Sequence, residues 1–329
     1  DTFPDSESLL WGILKCHIHG ALDFVSVSNM LCDSAATRMY LAQPFMPPKP
    51  IANASRIDLK TQGRILALLQ IGNYEDALNV ALECQDFTMA VLVGSLAGKE
   101  KWSSVVDSYL RTEIQGSSEA SINVLSLLFQ VFVGNSRNAI ANFYQNEELR
   151  VWALQNWRYI TAVILANVKS VSENSILKPG QLPPMILEFL VEFGMFLSRQ
   201  NMNLESNVLF VIANIPFSST PVIPGSNIYF KYIGEPTTTE SVIWSEIYEY
   251  SRELVEPEFK GYPTLLTQKL HYGFSLEEEG LSSQASKYNE YVTSRIKQLP
   301  RRDANAANLM NSSNILTARI SNSSTGWLG

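Results

Sequence analysis

Along most of this chain apolar residues recur at intervals of three and four, which is how one helix face turns toward a core. The clearest stripe is Trp102, Val105, Val106, Tyr109 and Leu110. Ile186, Leu190, Phe193 and Leu197 form a second, behind the paired Pro183 and Pro184, which suit a first helical turn. A third, Trp244, Ile247, Tyr248 and Leu254, is entered through Thr237 and Glu240, whose spacing predicts a capping box. No long stretch alternates with a period of two. Residues 228–233, bounded by Pro224, Gly225 and Gly234, predict only a brief extended segment.

Four places share one local design: Gly72 to Ala77, Gly134 to Ala139, Asn201 to Ser206 and Gly280 to Ala285. In each, a Gly or Asn can end a helix in the left-handed conformation, and a small residue five positions later lets the next helix pack closely. The pattern predicts helical hairpins. Their spacings of 62, 67 and 79 residues are unequal, so the stack lacks the fixed period of tetratricopeptide or HEAT arrays. A repeat adaptor for peptides is disfavoured on that ground.

Helix-poor segments interrupt the pattern at residues 41–57, 170–182 and 214–240. Residues 300–325 are rich in Asn, Ser and Ala with almost no periodic apolar face, and predict a loose polar linker. The expected organisation is therefore one helical domain over residues 1–299, a linker over 300–325, and a short end, 326–329, carrying the isolated pair Trp327 and Leu328. The fold class is all-α, an irregular α-solenoid-like stack of hairpins.

Composition narrows the possible functions. Of 329 residues, 46% are hydrophobic and 17% charged, which is enough apolar material for a core and too little charge for disorder. A net charge of -7, with no basic run longer than Arg301-Arg302, argues against nucleic acid and against a polybasic membrane patch. No apolar run reaches the roughly 18 residues that span a bilayer, so direct membrane insertion is not expected. Three cysteines, Cys16, Cys32 and Cys84, are too few for a disulfide framework and point to a reducing compartment.

Catalytic and ligand motifs are missing. There is no phosphate-binding Gly-rich loop, no nucleophile elbow and no His-Glu-x-x-His. Cys16, His17 and His19 lie near Cys32 in sequence, but only Cys16 and His19 share helical i, i+3 spacing, and no second pair completes four ligands. Glu277, Glu278 and Glu279 read as a solvated helix end, and His271 has no evident catalytic partner. Trp102, Trp152, Trp157 and Trp244 sit in helical patterns and predict core packing. No cofactor, metal or catalytic residue is assigned, and an enzyme is not expected.

The order of motifs carries a family resemblance. Ser8-Leu-Leu-Trp11, Leu69 to Leu78, Met89 to Ser95, Asn156 to Asn167, Tyr232 to Gly234, Glu246 to Tyr250, Gly280 to Tyr288 and Gly326-Trp-Leu328 are collinear with segments of one domain. Together they resemble the central domain of the Sec-sixteen family of COPII scaffold proteins. That domain belongs to the ancestral coatomer element group, shared with cage proteins and nuclear-pore scaffolds. The resemblance implies a folded-back helical unit of crown, trunk and tail. It also implies a non-enzymatic scaffold for COPII coat assembly at the cytosolic face of the endoplasmic reticulum, peripherally at its exit sites. The alternative is a nuclear-pore or COPII cage scaffold of the same architecture.

The partners it implies are the Sec-thirteen β-propeller, other COPII coat subunits and a second copy of the chain in a homodimer. Family members lend the propeller a blade from strands just upstream of the first helix, and such strands are not expected in this sequence. The candidate partner-binding residues are Leu10, Trp11, Trp327 and Leu328. A buried aromatic or aliphatic anchor is what interface centres use.

Overall fold

A computed structural model describes residues 5–20, 22–32, 59–110, 112, 120–168, 181–256, 258–299 and 305–325. Among them the regular structure is helical, apart from a single antiparallel bridge between Pro221 and Tyr229. The described residues form two compact units.

The first unit draws on Asp1–Asp23 and Phe193–Gly329. Helix α1 (Ser6–Ile18) starts where the Asp5 carboxylate accepts the Ser8 N–H at 2.7 Å, satisfying one of the donors that every helix start leaves open. Its Leu9, Leu10, Ile13 and Leu14 are fully buried against later helices of the same unit.

The second unit draws on Phe24–Leu177 and Gln181–Glu192. It holds α2 (Phe24–Leu31), α3 (Leu59–Gln70), α4 (Tyr74–Glu83), α5 (Phe87–Ala97), α6 (Lys99–Tyr109), α7 (Ala120–Phe132), α8 (Ser136–Gln145), α9 (Glu147–Gln155) and α10 (Trp157–Ala166). From α3 to α6 each helix packs on the next as a chain of hairpins. The stripe expected on α6 buries Val105, Val106 and, just beyond it, Leu110, while Tyr109 turns out to solvent. At Gly94 of α5 an added Cβ would lie 3.2 Å from the Val105 side chain and 3.4 Å from the Trp102 Cα. The missing side chain is what lets α5 and α6 approach so closely.

Helix α11 (Pro184–Arg199) gives its beginning to the second unit and its end to the first. Its expected stripe, Ile186, Leu190, Phe193 and Leu197, is fully buried. The first unit continues with α12 (Asn203–Ile212), α13 (Thr239–Val255), α14 (Leu266–Glu278), α15 (Ser282–Ile296) and α16 (Ala306–Thr325). Helix α1 packs on α12 and α13, and α14, α15 and α16 pack mutually.

All four expected turns form. Gly72, Asn201, Gly134 and Gly280 have φ of 75°, 63°, 87° and 82°, and each is followed by a backbone N–H reaching five residues back. These bonds are Asn73 to Leu68, Met202 to Leu197, Asn135 to Gln130 and Leu281 to Leu276, at 2.8 to 3.0 Å. That is the Schellman closure, which satisfies carbonyls the helix end would leave open. The small residues Ala77, Ala139, Ser206 and Ala285 are buried, as hairpin packing requires.

Two further turns of the same kind were not expected, at Gln85 (φ 54°) and Asn214 (φ 54°). Gln85 carries a Cβ in a region that costs an L residue about 1 kcal/mol or more. Gln85→Gly is expected to raise the free energy of unfolding by up to about 1 kcal/mol, offset in part by glycine's larger unfolded-state entropy. A denaturant midpoint that falls would contradict this.

Three expectations need correction. The cap of α13 is Thr238, whose hydroxyl accepts the Ser241 N–H at 3.2 Å, one residue after the predicted Thr237. Leu254 of the same helix is exposed, because the helix end runs past the core. The largest difference is in residues 300–325, expected as a loose linker: Ala306–Thr325 is the longest helix described. Leu309 and Leu316 are buried against Leu266, Leu270, Val292 and Ile296. The core position between them holds Ser313, which broke the apolar stripe in the sequence. The Ser313 hydroxyl donates to the Asn289 Oδ1 at 2.7 Å, and the Asn289 amide donates to the Ser313 carbonyl at 3.1 Å and to the Thr317 hydroxyl at 2.7 Å. A polar seam satisfied in this way replaces an apolar contact at little cost.

Candidate protein-interaction surface

The interior of the first unit is built around charge. Lys269 on α14 and Glu249 on α13 are 5% and 4% exposed and joined directly. The Lys269 ammonium also lies 3.7 Å from Glu246 and 4.3 Å from the centre of the Tyr291 ring. The second oxygen of Glu249 accepts the Tyr262 N–H at 2.7 Å, and Glu246 accepts the Tyr288 hydroxyl at 2.9 Å. Burial works to discharge the ammonium, but Glu249, Tyr291 and Glu246 together outweigh it and the lysine holds its proton more tightly than usual. Burial pushes the Glu246 carboxyl up, and pushes the Tyr262 phenol up to about 12. The ligands of these charges all come from the protein itself, so the cluster braces three helices.

The residues weighed as metal ligands are not assembled. His17 is buried, with its Nε2–H donating to the Val211 carbonyl at 3.0 Å and its ring edge-on to Tyr248. His19 is exposed and Cys16 half-buried. Among the described residues no group of three or more His, Cys, Asp or Glu could hold a metal. His271 is exposed on α14. The run Glu277 to Glu279 does end that helix, but Arg319 from α16 reaches Glu278 at 3.4 Å and Glu277 at 3.9 Å, so its first two members are not simply solvated.

Of the candidate partner-binding residues, Leu10 is 0% exposed and has no surface to offer, because it faces the core side of α1. Trp11, its neighbour, is 42% exposed, with its ring 6.2 Å from the buried Trp244 in an edge-on arrangement. Trp327 and Leu328 lie outside the described residues.

The structure exposes apolar helix faces that sequence reasoning passed over. Leu92 and Leu96 on α5 are 59% and 64% exposed, one turn apart. Leu125 and Phe129 on α7 repeat that spacing, and Tyr250, Leu254 and Val255 crowd the outer end of α13. The signal for α5 was present: Phe87–Ala97 contains no charged residue, and a helix apolar all round is normally covered on every side. Exposed apolar faces of this sort mark places where proteins meet. Among the described residues no helix is long and apolar enough to cross a membrane.

Helical hairpins stacked at unequal intervals, with satisfied charges inside and apolar helix faces outside, define an irregular α-solenoid-like protein. A sequence model of the Sec16 Sec23-binding domain matches residues 65–329, and the chain belongs to the Sec16 family. The COPII coat assembly protein SEC16 of Saccharomyces cerevisiae is 40% identical over 326 residues, covering 98% of this chain and 15% of that protein. Its namesake in Candida glabrata is 41% identical over 336 residues, covering 100% of this chain and 15% of that protein. A chain of a solved Sec13/Sec16 complex from S. cerevisiae superposes with a TM-score of 0.85 at 39% identity, covering 95% of this chain and 79% of that one. The chain thus spans about 15% of the curated relatives it matches.

Proposed function

We propose that this chain is a scaffold for COPII coat assembly, acting at the cytosolic face of the endoplasmic reticulum at its exit sites, by binding proteins rather than by chemistry. The single observation that carries the reading is the sequence match over nearly the whole chain to relatives named as COPII coat assembly proteins. The solved relative is a Sec13/Sec16 complex, and the matching family domain is described as Sec23-binding. The proposed partners are accordingly a Sec13-type propeller and other coat subunits.

A second copy of the chain is the third proposed partner, and α5 is its proposed contact. An uncharged helix with Leu92 and Leu96 facing outward matches the apolar centre of an interface between copies.

The test is co-expression with the Sec13 propeller, with and without the natural upstream sequence, followed by sizing chromatography with light scattering. Co-elution of the propeller with the longer form supports the reading; failure of both forms to bind sinks it. In the same runs the chain is expected as a dimer at tens of micromolar. Leu92→Glu with Leu96→Glu is expected to shift it to a monomer without lowering its melting temperature. A monomeric wild type would remove the homodimer alone.

A further inference from the structure

The first unit contains a polar cavity of about 430 Å³ between the start of α12 and the 227–236 loop. Its size lies within the range of sites that take ligands. The sequence holds the loop by its backbone. The Ile233 N–H donates to the Ser245 hydroxyl at 2.9 Å, and the Gly234 N–H donates to Asn207 Oδ1 at 2.8 Å, with Gly234 at φ 76°. A Cβ at Gly234 would stand 3.1 Å from the Trp244 ring, so the loop follows this path only with glycine there.

One group in the lining has no structural use. The Ser206 hydroxyl is buried, its residue 1% exposed, and it has no hydrogen-bond partner. Buried hydroxyls are normally paired, and an unpaired one at a cavity wall is a place where a ligand group belongs.

Beside it stand Asn203 and Asn207, one turn apart on the same helix. The Asn203 Oδ1 accepts the Ser198 hydroxyl at 3.3 Å, and the Asn207 Oδ1 is taken by Gly234, which leaves the amide N–H groups of both as donors. The α12 cap, Met202, supplies no side-chain acceptor, and the carboxylate of Glu205 in the first turn answers that end's partial positive charge. Tyr229 lines the cavity half-exposed, with the Lys231 ammonium 4.9 Å from its ring centre and no carboxylate among the described residues paired with that lysine.

We propose that this cavity binds an extended polypeptide segment through its main chain, with an acidic side chain of that segment beside Lys231. The register fits. Residues four apart on a helix rise about 6 Å, close to the roughly 6.7 Å between alternate residues of an extended chain. Asn203 and Asn207 can therefore each donate to a carbonyl of the same strand. Lys231 and Glu235 are the charged residues of the lining, and one lysine beside a tyrosine suits one carboxylate better than a doubly charged phosphate, which calls for an arginine cluster. The binding mode is that of an extended peptide laid on hydrogen-bonding groups of a fixed surface.

Peptide binding at this cavity does not depend on the coat-scaffold reading, and its test is separate. The probe is a phage-displayed library of random 12-residue peptides panned on the intact chain. Enriched peptides are then synthesised and measured by fluorescence anisotropy and hydrogen exchange. The expected result is enrichment of acidic sequences that slow exchange in residues 203–207 and 227–236. Asn203→Ala and Lys231→Glu, both at the surface and with melting temperatures unchanged, are each expected to weaken those peptides about tenfold or more. The proposal is overturned if no sequence enriches, if enriched peptides protect other regions, or if both variants bind them as the wild type does.

Discussion

Lys269→Met is expected to cost about 3 to 5 kcal/mol of unfolding free energy, a large loss for one polar side chain. The substitution keeps the length of the side chain and leaves the Glu249 carboxylate buried, with only the Tyr262 N–H to answer it. Gly261 makes that contact possible: it sits at φ 81°, and a Cβ there would fall 2.8 Å from Glu249 Oε1. The double variant Lys269→Met with Glu249→Gln removes both charges and preserves an acceptor for Tyr262. It is expected to recover most of the loss, since a buried pair replaced as a whole is often near neutral. Urea unfolding of the three proteins is the measurement. A single variant within about 1 kcal/mol of wild type would show that Lys269 does not hold the pair together in the interior.

Lowering the pH is expected to destabilise the fold through His17. Its ring is buried and held by the Val211 carbonyl, and burial lowers its pKa from the ordinary 6.5 to about 4, with a smaller push from Arg252. The folded chain therefore resists a proton that the unfolded chain accepts. Stability from the neutral ring is fully present above about pH 6.5 and is lost progressively as the pH falls toward 4, by about 3 kcal/mol in all. Glu246 responds in the opposite sense, because its raised carboxyl welcomes a proton in the folded state. The comparison that isolates the imidazole is wild type against His17→Gln across pH 7 to 4.5. The variant's profile is expected to be flatter in that window, and parallel profiles would refute the assignment.

Where interior positions were apolar and periodic, the helices could be read in advance. Ile186 to Leu197 and Trp102 to Tyr109 lie in helices at the expected places. Turns were legible where Gly or Asn carried them at residues 72, 134, 201 and 280, though the one that Asn214 carries was also missed. They were missed where glutamine did, at Gln85, because nothing in its side chain announces a left-handed backbone. The helix Ala306–Thr325 was missed because its core position, Ser313, is polar and becomes harmless only when Asn289 and Thr293 from α15 meet it.

The candidate surfaces divide in the same way. Leu10 and Trp11 are adjacent in sequence, yet one is buried and the other half-exposed, and only the packing of α1 on α12 and α13 separates them. That α5 is uncharged can be read from its letters, whereas which of its leucines face outward depends on where α4 and α6 cover it. The charged interior and the polar cavity had no signal in one dimension: Glu249 and Lys269 are twenty residues apart, and Asn207 meets Gly234 across twenty-seven.

By itself the amino-acid sequence determined the helical class, the hairpin turns and the family, because these rest on local periodicity, turn chemistry and collinear short motifs. The tertiary structure alone decided which apolar residues remain at the surface, how buried charges are satisfied and where a cavity opens. Burial and pairing are properties of contacts between distant segments, and a local pattern carries no record of them.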